Sequence, residues 1–151
     1  MAEARSADPA FAGHFTLTVD GVEIGTFSEV AGLSVAIQTD TVVEGGQNQY
    51  THRLPKGMTW QNLVLKRGIT RTDSLFAWLQ ECSGDGFARA GNQLKPKPAT
   101  IAVLDQTGKA VRTWTVEGAF PVKWSGPRLA ATSRDLAMEE LEVCHRGFVA
   151  S

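Results

Sequence analysis

From His14 onward, polar and apolar residues alternate. Phe15, Leu17 and Val19 stand between His14, Thr16 and Thr18, the period-two signature of a half-buried strand. Asp20-Gly21 supplies a type I′ turn, and Val22, Ile24 and Phe27 continue on the return strand. A longer hairpin is expected over 34–54. Val35, Ile37, Thr39, Thr41 and Val43 form one face of its first strand, and Ala36, Gln38, Asp40, Val42 and Glu44 the other. Gly45-Gly46 is the expected turn. The return strand sets Asn48, Tyr50, His52 and Leu54 against Gln47, Gln49, Thr51 and Arg53. Such a ribbon carries one side on a core and one in water. Pro55 is expected to end it, because proline has no N–H to give to a ladder.

A third β pattern runs over 60–69, with Leu63 and Leu65 on one face. The period then changes. Leu75, Phe76, Leu79 and Cys82, with Trp78 beside them, fall at helical spacing, Asp73 or Thr72 is placed to cap, and Gly84 stands where the helix would stop. This spacing predicts one helix over about 73–83, with Trp78 in the core. Lys95 to Pro98 reads as an extended connector, 100–104 as a short strand, and 111–124 as a long one with Pro121 at an edge or bulge. In the last strand, 134–145, the apolar positions change phase between Leu136, Met138 and Leu141, Val143. One extra residue near Glu139-Glu140 would restore the alternation, which predicts a β-bulge or a bend there. The pattern as a whole predicts a mainly β chain: an antiparallel β-sandwich or incomplete barrel of about seven strands with one flanking α-helix. Residues 1–13 read as an N-terminal arm and 14–151 as a single domain.

Composition narrows the functional classes. The 151 residues are 42% hydrophobic and 21% charged, with formal net charge −1, so the chain is globular and lacks the basic footprint of a nucleic-acid binder. Cys82 and Cys144 have no ligand spacing and read as two partly buried thiols, with a disulfide as the alternative. The N-terminus lacks a basic start followed by an apolar run, and no stretch has the ~20 apolar residues of a membrane span. Synthesis and assembly in the cytoplasm without a signal peptide are expected. No nucleotide-binding, zinc-protease or hydrolase motif occurs, so no catalytic residue, cofactor or metal ligand is assigned. His14, His52 and His145 are expected at surface or edge positions. Glu139, Glu140 and Glu142 are expected on a solvated strand face or in an inter-subunit salt bridge. Trp60, Trp114 and Trp124 suit either a core or an interface.

Several stretches carry a family resemblance: FSEVAGL (27–33), EGGQN (44–48), RLPKG (53–57), LKRGIT (65–70), Trp78, AFPVKWSGP (119–127) and MEELEVCHRGF (138–148). In this order they resemble the tail tube family of contractile-tailed phages, and within it the inner tube subunits of extracellular contractile injection systems. The resemblance implies a non-enzymatic structural subunit. Its hexameric rings would close a barrel from neighbouring strands and stack into a hollow tube, which sheath contraction drives through a target envelope. It implies contractile sheath, baseplate or hub, and cap proteins as partners, with luminal cargo or a tape-measure protein, and a final location in a phage tail or released particle. On this reading Gln38, Asp40, Glu44, Gln47, Gln49, Thr51 and Arg53 face the lumen. Gly45, Gly46, Pro55, Lys56, Gly57 and Trp60 contact stacked rings. A charge at Ile37 is expected to abolish folding and assembly together. The alternatives are a type VI secretion ring protein, a baseplate-end tube paralogue and, from another class, a monomeric ligand-binding β-barrel.

Overall fold

The computed structural model describes residues 13–42, 52–70, 74–83, 88–89, 91, 95–132 and 137–151. The chain opens with the expected hairpin, β1 (His14–Val19) and β2 (Val22–Phe27). Asp20 and Gly21 both have positive φ, 49° and 79°, as a type I′ turn requires. Then follow β3 (Glu29–Ala31), β4 (Val35–Val42), β5 (His52–Trp60), β6 (Leu63–Gly68), α1 (Ser74–Glu81), β7 (Lys97–Leu104), β8 (Ala110–Ser125), β9 (Met138–Cys144) and β10 (Gly147–Ala150).

One antiparallel sheet runs in the order β2-β1-β7-β8-β9-β6-β3, with β10 also paired to β8. Its two end strands are joined through Ser28 alone, whose amide donates to the Lys66 carbonyl at 2.9 Å. The sheet therefore curls round on itself into an incomplete barrel. The sixteen-residue β8 makes the curl possible. Up to Ala119 it pairs with β7 and β10, and from Phe120 it pairs with β9. It bends near Gly118, whose φ of 61° suits glycine and whose bare Cα leaves room for the Arg146 side chain.

Inside lie Leu17, Val19, Ile24, Phe27, Leu63, Leu65, Ala99, Ile101, Val116, Ala119, Leu141 and Val143, closed by Leu75 and Trp78 of α1. Trp78 is in the core, as its helical position predicts. Phe76 lies on the rim, edge-on to Trp124 at 5.0 Å between centroids. The expected caps Thr72, Asp73 and Gly84 lie outside the described residues. So does the expected strand portion 134–136. The strand expected from 100 begins at Lys97 instead.

The bulge expected at Glu139-Glu140 is on the partner strand. Pro121 faces Val143 and Lys123 faces Glu142, so Val122 is the extra residue and β9 keeps one phase throughout. The apparent phase change has a chemical cause. Glu139 occupies an inward position in line with Leu141 and Val143, and Met138 points out. Glu139 is thus neither on a solvated face nor available between subunits. It stands directly opposite Arg67 of β6, which occupies the inward position after Leu63 and Leu65. The buried carboxylate is ion-paired with the Arg67 guanidinium and accepts the Trp124 Nε1–H at 3.2 Å. The guanidinium lies over the Phe27 ring, 5.2 Å from its centroid, in space left open by Gly25. Glu140 and Glu142 follow the expectation better: Glu140 makes a surface pair with Lys66, and Glu142 accepts from Asn62 Nδ2 at 3.1 Å.

Candidate assembly surface

Strands β4 and β5 form a separate two-stranded sheet. Every residue of β4 is exposed, which corrects the expectation that one side of this hairpin rests on a core. Ile37 is 59% exposed, Met58 56% and Leu54 56%. Pro55 does not end the ribbon. Gln38 faces Gly57 and Thr39 faces Pro55, so Lys56 is a bulge, and β5 continues to Trp60. Among the described residues β5 has no strand on its other side, an edge that tolerates a residue without an N–H.

The pairing also reassigns the faces. A two-residue turn at Gly45-Gly46 would set Gln38 opposite Arg53. In the structure Arg53 faces Thr41, three residues out of that register. An odd shift carries a side chain to the opposite face. One face therefore holds Val35, Ile37, Thr39 and Thr41 with Trp60, Met58, Pro55 and Arg53. The other holds Ala36, Gln38 and Asp40 with Thr59, Gly57 and Leu54. Lys56 belongs with the second face, because its Nζ lies 3.7 Å from Asp40 Oδ1. Gln38 Nε2 donates to Thr59 Oγ1 at 3.2 Å. So Gln38 and Asp40 share a polar face, and Arg53 does not join them. Pro55, Lys56, Gly57 and Trp60 are divided between the two faces rather than forming one patch. Glu44, Gly45, Gly46, Gln47, Gln49 and Thr51 lie outside the described residues.

The root of the ribbon is built differently from its shaft. The half-buried Trp60 packs edge-on to Phe148 at 4.9 Å and to His145 at 6.1 Å between centroids. Its indole also lies against Gly147, at 3.0 Å from where a Cβ would stand. His145 is buried, against the expectation of a surface or edge role. Its Nδ1 accepts the Gly147 amide at 3.0 Å, so its Nε2 carries the proton and donates to the Gln61 carbonyl at 2.8 Å. On the β4 side, Gly32 has φ 91° and approaches the Asn62 carbonyl so closely that a Cβ would collide with it. The sequence pattern missed this cluster. The only local signal is His145-Arg146-Gly147, where glycine follows the end of an apolar strand.

Little else offers chemistry. Among the described residues no three His, Cys, Asp or Glu side chains are grouped to hold a metal ion, and no helix is long and apolar enough to cross a membrane. Both cysteines are free and half-buried, as expected. Burial, and then the Glu81 carboxylate, push the Cys82 thiol up from its ordinary value, with Lys97 opposing.

Comparison with known proteins gives a consistent result. The model of the family described as T4-like virus tail tube protein gp19 matches residues 12–149. A chain in the cryo-EM structure of an extracellular contractile injection system, the PVC sheath–tube complex in extended state, is 26% identical. The match covers 95% of this chain and 91% of that one, with a TM-score of 0.77. A chain in the PVC sheath/tube terminator structure is 25% identical over 97% and 99% of the two chains, with a TM-score of 0.78. Hcp1 from Flavobacterium johnsoniae shares the fold more distantly, at 15% identity, 91% and 94% coverage and a TM-score of 0.50. No curated protein matches the sequence.

Proposed function

The chain belongs to the T4-like virus tail tube protein family, and we propose that it forms the inner tube of a contractile injection particle as stacked hexameric rings. The family's role is structural, and we assign no chemical step to the chain. The observation that carries the reading is the β4–β5 ribbon, whose apolar face and strand edges are exposed in the lone chain. Open edges and exposed apolar faces are a hazard for a monomer and are removed when neighbouring copies add their strands.

The pairing within the ribbon supports a specific arrangement. The face with Val35, Ile37, Met58 and Pro55 packs on an adjacent copy. The face with Gln38, Asp40, Lys56 and Thr59 lines the lumen. Asp40 and Lys56 offset one another in charge, which suits a weakly adhesive wall for passing cargo. In this reading a sheath surrounds the tube, a baseplate and a cap close its ends, and the assembled particle acts outside the cell that made it. The relatives in PVC sheath–tube and terminator structures support a surrounding sheath and a terminated tube end. The type VI ring reading is less well supported, because the likeness to Hcp1 is confined to the fold.

Negative-stain and cryo-electron microscopy of the purified chain test this. Hexameric rings or tubes with the 35–42 strand on the inner wall are expected. A monomer at all concentrations, or that strand on the outer wall, would overturn the arrangement.

A further inference from the structure

The ribbon behaves as a lever. Strand β4 has eight residues, so the shaft is roughly 26 Å long at ~3.3 Å per residue. A tilt of about 10° at its root moves the far end by roughly 4–5 Å, close to the ~4.8 Å spacing between paired strands. An arm that must present an edge to a neighbouring copy therefore needs a root held to a few degrees. The shaft cannot supply that restraint, since among the described residues the extensive packing of β4 and β5 is on each other.

Among the described residues the restraint is available at the root. Trp60 and Gln61 mark the point where β5 leaves the body and β6 begins. From the bend between β9 and β10, His145 holds the Gln61 carbonyl through Nε2 and the Gly147 amide through Nδ1. Trp60, on the apolar face of the ribbon, wedges against Gly147 and Phe148. Asn62 is tied to Glu142, and Gly32 is seated against the Asn62 backbone. We propose that His145 is a positioning residue for assembly: through its Nε2–H···O=C bond to Gln61 it sets the angle at which the ribbon leaves the body. The inference rests on the tube reading above. The two hydrogen bonds of the ring have separate jobs. The bond to Gly147 is local to the β9–β10 bend. The bond to Gln61 crosses from the bend to the ribbon.

That separation makes a test. Asparagine places its side-chain oxygen near the position of Nδ1 but does not reach Gln61. Glutamine reaches with an N–H near the position of Nε2. The full-length wild type, H145N, H145Q and W60A are compared for thermal melting and for ring or tube formation by sedimentation and negative stain. H145N is expected to raise the protein concentration needed for assembly at least tenfold, and H145Q to keep it within about threefold of wild type. W60A should also impair assembly by tenfold or more. All three should keep cooperative melting of the body. The reverse order, with H145N assembling better than H145Q, would assign His145 to the bend and overturn the proposal. So would equal assembly by both variants, or loss of cooperative melting in H145N. A wild-type chain that forms no rings would overturn the tube reading itself, whatever the variants do.

Discussion

In the barrel body, the apolar side chains of β1, β6, β7 and β9 meet one another. In the β4–β5 ribbon, residues of the same kinds meet water. Leu65 and Leu141 are about 1% exposed, whereas Ile37 is 59% exposed. Burying a large aliphatic side chain contributes roughly 1.5–3 kcal/mol, so the body holds its own stabilisation. The ribbon lacks this term, and a lone two-stranded hairpin is marginal in water. On the tube reading, the body folds as a protomer and a neighbouring copy covers the ribbon, whose strand β4 is fully exposed in the single chain. One chain thus carries a stable module and an unsatisfied arm, as a subunit that assembles only after folding would need.

Substitutions in the body should mark the contrast most strongly. Replacing Glu139 with alanine leaves the Arg67 guanidinium buried without its counter-ion, at a cost of roughly 3–5 kcal/mol. Arg67 Nη1 already has no hydrogen-bond partner among the described residues. Denaturant unfolding should show the loss. Combining Arg67→Met with Glu139→Leu, which removes both charges and keeps the volume, should recover most of it. Trp78→Ala should cost a similar ~3–5 kcal/mol, read in the same way, because it opens a cavity beneath α1.

Substitutions in the ribbon should show the opposite division. Ile37→Asp is expected to change protomer stability by no more than about 0.5 kcal/mol, as at other exposed sites. It should nevertheless abolish rings and tubes in negative stain. The alternation of residues alone predicts that this charge destroys folding, and the exposure of Ile37 corrects that. Asp40→Ala removes an exposed pair worth at most about 1 kcal/mol. It should leave both melting and tube formation intact, with only the charge of the wall altered.

The smallest effect concerns Cys82. Its thiol is pushed up by burial and by Glu81. A raised value means less thiolate at neutral pH. Alkylation of Cys82 should therefore be slower than for a free thiol in water, and should speed up only at a pH above the ordinary thiol range. Rapid labelling at neutral pH would show that the α1–β7 junction opens readily.

The first hairpin, the helix around Trp78, the long strand β8 and the absence of a catalytic motif are all legible along the chain. Local rules govern them: two-residue alternation, an Asp-Gly turn with both residues at positive φ, helical spacing of Leu75, Trp78 and Cys82. The family resemblance, carried by ordered short motifs, is equally a property of the chain. Three features waited on tertiary structure. Glu139 looks like a surface acid until Arg67 is seen opposite it, because a strand pattern records polarity and not the partner that neutralises it. The grouping of Arg53 with Gln38 and Asp40 depends on the register between β4 and β5, and an odd shift in that register exchanges the faces. His145 reads as an edge residue until the fold brings it to Gln61, eighty-four positions away. Periodicity marked most of the strands, though not β3, β10 or the part of β5 beyond Pro55. Which side chains those strands share, and what remains uncovered for a neighbour, depended on contacts between residues far apart in the chain.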